Sequence, residues 1–195
     1  MYAATRTLFD WASIEAGDHF VHFYDEDDAF NEMLRGYCAT GLRRGETTLV
    51  IATGARLAAL RKSLSADGDM DGAIRFKRYV PLDADEVLSR FMVDGKPCLD
   101  RFQRVMQEIL RPGRVEGRRV RAFGEMVARL WERGETEAAI QLEALWNEVT
   151  DRHKLMLFCA YPRRLFAGGR LADREGLERI CRCHTHVLPA DMNAA

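Results

Sequence analysis

The sequence lacks an apolar run long enough to cross a membrane, and its first 18 residues lack the apolar segment of a signal peptide. It also lacks an excess of charge of either sign, since 29 basic and 30 acidic side chains give a formal net charge of -1. A nearly neutral chain has no general electrostatic attraction for nucleic acid or for an anionic membrane. These absences predict a cytoplasmic protein that binds neither of them directly.

Cysteine is scarce, and its five copies are an odd number. Several of them fall inside helical or strand patterns and not in loops. Both features favour reduced thiols over a disulfide framework, which agrees with a cytoplasmic location.

The motifs of nucleophilic hydrolases are missing as well. The chain has no Gly-x-Ser-x-Gly turn, and its serines lie in ordinary helix or turn contexts. Cys159 lies in an apolar strand pattern, where a thiol is usually a small core residue. Asp25, Glu125 and Glu143 could pair as acid and base, but the sequence gives no distance between them. We therefore predict no catalytic residue, no cofactor and no enzymatic activity.

The segments that are present alternate between strand and helix patterns. Strands are predicted at 19–25, 47–53, 74–80, 118–123 and 155–161, and most of the intervening segments carry helical periodicity, with a helix at 99–110 stopped by the Arg-Pro-Gly at 111–113. This order predicts an α/β three-layer sandwich with a mainly parallel central sheet. We expect one domain at 19–189, preceded by a loosely held arm at 1–18 with a helical turn near Leu8 to Trp11, and followed by a short tail at 190–195.

The stretch 118–149 organises the rest of the chain. It is predicted to form a strand, a glycine-containing exit at Gly124 and two helices that meet at Gly134. Both helices carry an apolar stripe, and the stripes include Trp131 and Trp146. We therefore expect both tryptophans to be largely buried.

Ligands of parallel α/β sheets bind at the carboxyl ends of the strands. We therefore predict a pocket beside Gly124, with aromatic walls and with carboxylates and an amide that orient the ligand. Its predicted residues are Tyr24, Asp25, Phe123, Glu125, Trp131, Glu143, Trp146 and Asn147. The alternative is two amphipathic helices with solvated rims, in which Glu125 forms a structural salt bridge with Arg121 or Arg129.

The segment 41–54, GLRRGETTLVIATG, resembles the approach to the phosphate loop of RecA/KaiC-type ATPases. Such a loop needs glycines that turn backbone N–H groups towards the phosphates, a lysine, and a Ser or Thr for magnesium. Residues 52–57 here are Ala-Thr-Gly-Ala-Arg-Leu, which retain one glycine and have neither the lysine nor the magnesium ligand. We expect no ATP hydrolysis, while a nucleotide-binding scaffold without catalysis stays open.

Near its C-terminus the chain places four possible metal ligands within six residues: Cys181, Cys183, His184 and His186. Structural zinc sites more often take their ligands from two separated segments. His19 and His22 are far away in sequence, so a closed site would need the fold to bring them to this segment. We predict no metal site and retain the four residues as candidates for the alternative, a metal or redox sensor.

Seven blocks together resemble the MEDS domain, a sensory family also described as a RecA/KaiC relative: HFVHFYDEDDAF, GLRRGETTLVIAT, FMVDGKP, RAFGEMVARLWERG, AAIQLEALWNEV, FCAYP and CHTHVLP. The resemblance runs from about His19 to Pro189. The residues that match its motifs are His22, Tyr24, Asp25, Gly124, Glu125, Trp131, Glu143, Trp146, Asn147, Tyr161, Pro162, His184 and His186.

The resemblance implies a sensory module for small, hydrocarbon-derived molecules that works beside histidine kinase or DNA-binding segments. The short arm leaves no room for a helix-turn-helix and no kinase segment follows, so we expect a stand-alone sensor. It would signal through a protein partner such as a histidine kinase or a regulator, and a homodimer is possible. The alternatives are the non-hydrolysing nucleotide switch and the metal or redox sensor.

Overall fold

A computed structural model of the chain describes residues 9–115, 117–168 and 171–189, with no side-chain description for 112–115 and 171–173. The first half contains β1 (His19–Tyr24), α1 (Asp27–Arg43), β2 (Thr47–Ala52), α2 (Gly54–Ser65), α3 (Met70–Arg75), β3 (Tyr79–Asp83), α4 (Ala84–Phe91), β4 (Met92–Val93) and β5 (Lys96–Pro97). The second half contains α5 (Leu99–Val115), β6 (Val120–Gly124), α6 (Met126–Glu132), α7 (Thr136–His153), β7 (Met156–Pro162), a 3-10 helix (Arg163–Phe166), α8 (Leu171–Arg182) and β8 (His186–Leu188).

Six strands form one sheet in the order β3-β2-β6-β7-β1-β8, and every pairing in it is parallel. Helices α1, α2 and α3 cover one face around an apolar cluster that includes Phe30, Leu60 and Phe158. Helices α4 to α8 cover the other face around a larger apolar cluster that includes Phe102 and Trp146. The predicted α/β three-layer sandwich is confirmed. Within the described parts of the chain, no helix combines the length and the apolar composition that spanning a bilayer requires.

The central strands form where the sequence predicted them, because they are covered on both faces. Every residue of β1, β2, β6 and β7 is buried, which matches their nearly continuous apolar runs. The join between α6 and α7 also follows the prediction. Gly134 has a φ of 76°, a conformation that glycine adopts without steric cost, so α6 ends there.

The predicted strand at 74–80 is wrong. Its first residues belong to α3, whose N-terminus is capped by Asp69 through the Gly72 N–H. The strand starts at Tyr79 and continues through Pro81, which was expected to end it. β3 is an edge strand, and there a proline can leave its missing N–H on the unpaired side.

Other predicted boundaries at prolines were also wrong. Helix α5 continues to Val115, past the expected stop at 111–113, because a proline removes one hydrogen bond and bends a helix without always ending it. Strand β7 includes Pro162. Strands β4 and β5 form a two-stranded hairpin, and both residues of its turn, Asp94 and Gly95, have positive φ, as a tight hairpin turn requires.

The segment after α8 forms the sixth strand of the sheet, β8, which the sequence pattern did not predict. β8 pairs with β1, and just before it the Thr185 hydroxyl accepts a hydrogen bond from the His19 N–H (2.8 Å) and donates one to the His19 carbonyl (3.0 Å). A three-residue strand has too few positions to show alternation, so the pattern could not reveal it. This pairing sets His184 beside the start of β1.

The described part of the N-terminal segment packs closely, whereas it was expected to be loosely held. Trp11 and Ile14 are buried, and the Trp11 carbonyl accepts a hydrogen bond from the buried Arg121 guanidinium (3.1 Å). Arg121 also pairs with buried Glu46 (2.8 Å). Leu8 and residues 190–195 lie outside the described residues.

Candidate functional site

The sequence-predicted ligand residues do not surround one space. Tyr24 and Phe123 belong to the apolar cluster on the α1 face, and Trp131 and Trp146 to the cluster on the opposite face. The polar members divide in the same way, into a group around Arg56 and a group around Glu143.

The first group is a polar network at the carboxyl ends of β1, β2 and β6. Arg56, in the first turn of α2, donates to Glu125 Oε1 (2.8 Å), Asn31 Oδ1 (2.5 Å), the Tyr24 hydroxyl (3.0 Å) and Asp27 Oδ1 (3.1 Å). Its guanidinium carbon also lies 4.8 Å from the centre of the Phe30 ring, a cation–π contact. The Arg56 cation is therefore held by four side chains of the chain itself.

Glu125 forms a salt bridge, but neither of the expected partners provides it. Its carboxylate contacts Arg56 and accepts a hydrogen bond from the Thr53 N–H (2.8 Å). Arg121 pairs with Glu46, and Arg129 with Asp85 and Glu132. Thr53 caps the N-terminus of α2, so Glu125 occupies a backbone donor and a cation at the start of this helix. Asp25 is exposed and lies 3.3 Å from Arg163.

The second group is a buried cluster on the other face, which we name the Glu143 cluster: His19, Glu143, Cys159, Tyr161 and His184. Glu143 projects from α7 and is completely buried. Its Oε1 accepts a hydrogen bond from the Tyr161 hydroxyl (2.6 Å). Its Oε2 lies 3.6 Å from His19 Nε2, 3.6 Å from Cys159 Sγ and 3.5 Å from His184 Nε2.

Four separate elements supply these side chains. His19 is the first residue of β1, Cys159 and Tyr161 alternate on one face of β7, and His184 lies between α8 and β8. His19 Nε2 is 3.3 Å from Cys159 Sγ, and the two imidazole rings lie 4.0 Å apart, centre to centre. The fold therefore brings together residues that are up to 165 positions apart in the chain.

Each imidazole is oriented by a hydrogen bond at its Nδ1. His184 Nδ1 is 2.7 Å from the Ile180 carbonyl, which can only accept, so the proton of the neutral ring lies on Nδ1. His19 Nδ1 is 2.7 Å from Asn147 Oδ1, which fixes the same tautomer. Both rings therefore turn an unprotonated Nε2 towards Glu143. His184 Nε2 has no hydrogen-bond partner among the described residues.

Burial controls the ionisation of the cluster. It lowers the pKa of His19 and of His184 to about 4, so both rings are neutral at pH 7, and the contacts with Glu143 are not ion pairs. Burial raises the pKa of Glu143, and it raises those of Cys159 and Tyr161 well above their ordinary values. Among the described residues, no lysine or arginine is a hydrogen-bond or salt-bridge partner of Glu143, and its carboxylate accepts hydrogen bonds from the neutral Tyr161 hydroxyl and Cys159 thiol.

The two tryptophans are buried, as expected. Trp146 is fully buried and packs edge-on against Phe102, while Trp131 is 7% exposed and contacts Phe166. Trp131 also covers Gly176 of α8, where an added Cβ would lie 2.5 Å from the indole ring. The tryptophans thus join α6 and α7 to the core that surrounds the Glu143 cluster.

The candidate metal ligands near the C-terminus do not gather with one another. Of the four, His184 alone belongs to the group of possible ligands that the described residues form, and the others in that group are His19, Glu143 and Cys159. His186 points away and contacts the carboxylate of Asp18 (3.2 Å). Spacing along the chain indicated the segment that contains His184 but not Cys159, which was predicted to be a core residue. The sequence feature that could have identified Cys159 as a site residue is its two-residue spacing from Tyr161 in a buried strand.

A family model described as MEDS, the methanogen/methylotroph, DcmR sensory domain, matches residues 18–185. The chain belongs to the MEDS family. Among curated proteins, none matches it. The matched region of this MEDS domain includes both polar groups and ends just after His184.

Proposed function

We propose that this MEDS domain is a sensory module that binds a small molecule at the Glu143 cluster and passes the signal to a protein partner. Membership of a sensory family supports the general role. The observation that carries the location is a completely buried carboxylate faced by two neutral imidazoles and a thiol.

Such an arrangement is unfavourable for stability. A buried carboxylate without a cation loses its hydration, and the neutral donors compensate for this loss only in part. Unpaired ionisable groups of this kind occur most often at functional sites. The Arg56 network is the opposite case, because the Glu125 carboxylate is paired with a cation of the chain itself and needs no ligand.

The surroundings indicate the chemistry of the ligand. The cluster lies within the larger apolar core, close to Trp131 and Trp146, and its polar atoms face a single point. A small hydrocarbon derivative with one polar group would place its carbon atoms against the aromatic rings and its polar group on Glu143. The partner, a histidine kinase or a regulator, and a homodimeric assembly are parts of the proposal that rest on the family alone.

A thermal-shift screen of small alcohols, amines, thiols and amphipathic compounds tests the proposal. Compounds that stabilise the wild-type chain should lose their effect on Glu143→Gln and keep it on Glu125→Gln, whose carboxylate lies in the Arg56 network. Shifts that survive Glu143→Gln and disappear in Glu125→Gln would move the site to the carboxyl edge of the sheet. No shift with any compound would contradict small-molecule sensing.

A relation to RecA/KaiC ATPases also belongs to this proposal and rests on residues 41–54. We expect no magnesium-dependent ATPase activity, because the lysine and the magnesium ligand are missing and Glu125 takes the place of an anion. Steady-state phosphate release measures this, and turnover above background that disappears in Gly54→Val would contradict it. A titration with a fluorescent nucleotide tests the nucleotide switch, and saturable binding would favour that alternative.

A further inference from the structure

We propose that His19, Glu143, Cys159 and His184 bind one divalent transition metal ion, with Zn²⁺ as the best-fitting ion. Their nearest ligand atoms all lie within 4.8 Å of one another. This inference shares its site with the proposed function and rests on that assignment for its sensory meaning. Metal binding itself can be measured separately.

The distances match a tetrahedron. Bonds of about 2.0–2.3 Å, which zinc forms with nitrogen, oxygen and sulfur, give ligand-to-ligand edges of about 3.3–3.8 Å. Four of the six edges fall in this range, namely His19 to Cys159 at 3.3 Å, His184 to Glu143 at 3.5 Å, and Glu143 to both His19 and Cys159 at 3.6 Å.

The tautomers prepare both imidazoles as ligands. Because Asn147 and the Ile180 carbonyl hold the Nδ1 protons, each Nε2 presents its lone pair to the centre of the cluster. In the same way Tyr161 holds Glu143 Oε1 and leaves Oε2 facing the centre. Outer partners of this kind orient the ligands of metal sites. A cation at the centre would also give the buried His184 Nε2 the partner that it lacks among the described residues.

The charges balance. On binding, the Cys159 thiol releases its proton to solvent and becomes a thiolate, and Glu143 binds as a carboxylate. Two negative ligands and two neutral imidazoles neutralise a divalent cation, so the filled site carries no net charge in the apolar core. Imidazole, carboxylate and thiolate together suit Zn²⁺ better than Mg²⁺ or Ca²⁺, which prefer oxygen ligands.

The metal would connect four parts of the chain, in addition to the pairing of β1 with β7 and with β8. The ligands lie on β1, α7, β7 and the α8–β8 connection. Binding would fix the C-terminal segment, α8 and β8, against the sheet, and release would loosen it. A partner protein that contacts this segment would therefore detect whether the Glu143 cluster holds the metal ion.

Metal content and affinity of the untagged full chain provide the test. After dialysis against a chelator, titration with Zn²⁺ should give one ion per chain. Co²⁺ should give the visible bands of a tetrahedral site and a near-ultraviolet thiolate band. Protection of residues 171–189 from hydrogen exchange should increase when Zn²⁺ is added.

Matched variants distinguish this site from its neighbours. Cys159→Ser should abolish the thiolate band. Substituting a residue that only orients a ligand typically weakens metal affinity by about 10–100-fold, and Glu143→Gln and His184→Gln should weaken Zn²⁺ binding by more than this. Asn147→Ala should fall within that range. The double variant Cys181→Ser/His186→Gln should bind as the wild type does. Circular dichroism in chelator shows which variants fold, and Cys159→Ser keeps the volume of the side chain.

The outcomes are separable. A wild-type chain that takes up no stoichiometric metal would overturn the metal site, and so would binding that survives Cys159→Ser and His184→Gln but is lost in the double variant. The small-molecule screen, run on metal-free and metal-loaded protein, reports on the proposed function. Ligand shifts without metal binding contradict the metal site alone, and metal binding without ligand shifts contradicts small-molecule sensing alone.

Discussion

Two buried glutamates of this chain show how the neighbours of a residue determine its role. Glu125 lies against the Arg56 guanidinium and the Thr53 N–H, so its charge is matched. Glu143 faces a hydroxyl, a thiol and two neutral imidazoles, and burial raises its pKa. The sequence presents both as a glutamate beside an apolar stripe, and only the fold distinguishes a structural carboxylate from one that suits a ligand.

Glu125→Gln tests the structural role. The substitution leaves the mostly buried Arg56 with Asp27 as its remaining carboxylate. Because Asp27 stays, the unfolding free energy should fall by less than the about 3–5 kcal/mol that breaking a buried pair typically costs. The expected loss is still more than about 1 kcal/mol. Urea unfolding measures it. Asp25→Asn, which alters an exposed contact with Arg163, should change stability by less than about 0.5 kcal/mol. Equal effects of the two substitutions would contradict this assignment.

Substitutions of Trp146 test, at the residue scale, whether α7 forms part of the apolar core. Trp146→Ala should reduce the unfolding free energy by about 3–5 kcal/mol, because it removes a fully buried indole that packs on Phe102. Trp146→Phe should cause a smaller loss, on the order of 1 kcal/mol, since the indole N–H has no partner among the described residues. Denaturant midpoints measure both. A Trp146→Ala midpoint close to that of the wild type would mean that α7 does not form the core.

At the scale of elements, α7 supplies both the Glu143 carboxylate and the Trp146 ring. The way in which this helix ends therefore matters for the position of both side chains. The helix ends at Lys154, which has φ 54° and ψ 45° and donates its N–H to the Thr150 carbonyl. A left-handed conformation is strained for a residue with a Cβ and free of strain for glycine. α7 therefore ends with a lysine in a backbone conformation that glycine would adopt with less strain.

Lys154→Gly should stabilise the chain by about 0.5–1 kcal/mol, because it relieves this strain at an exposed position. Lys154→Ala should give no gain, since it removes the charge and keeps the Cβ. Thermal or urea unfolding of the pair measures the difference. Equal stability of the two variants would show that the left-handed cap carries no strain.

The elements that the sequence predicted are those with a strong and continuous pattern. The strands β1, β2 and β7 are buried on both faces and have nearly continuous apolar runs, while α6 and α7 carry apolar stripes, so both patterns were recognisable in the sequence. β3 was misplaced and β8 was missed, because both lie at sheet edges, where fewer residues are buried and three to five positions carry little pattern. The candidate site depends on β8, because the pairing of β8 with β1 places His184 beside the start of β1. Glu143 and Asn147 were predicted as site residues, while their partners His19 and Cys159 depend on pairings that single-sequence patterns do not specify.

On the scale of the whole molecule, the parallel sheet buries three histidines as neutral rings. Burial lowers the pKa of His19, His22 and His184 to about 4. His22 lies outside the Glu143 cluster. Its Nδ1 has no partner among the described residues, and the charged groups that act on it are Arg163 and Asp25. It therefore reports on acid stability separately from the proposed metal ligands.

The stability of the fold should fall as the pH drops from about 6.5 to about 4, and His22 should contribute to that fall. In the unfolded chain His22 takes up a proton below its ordinary pKa of 6.5, whereas in the folded chain it does so only near 4. Between these values the unfolded state binds more protons, so acid favours unfolding, and above pH 6.5 this effect is absent. Urea unfolding in chelator from pH 7.5 to pH 4.5 should show a smaller decrease for His22→Gln than for the wild-type chain, because His19 and His184 continue to titrate in both. Parallel curves over this range would mean that folding leaves the pKa of His22 unchanged, so that contacts such as the attraction of Asp25 compensate its burial.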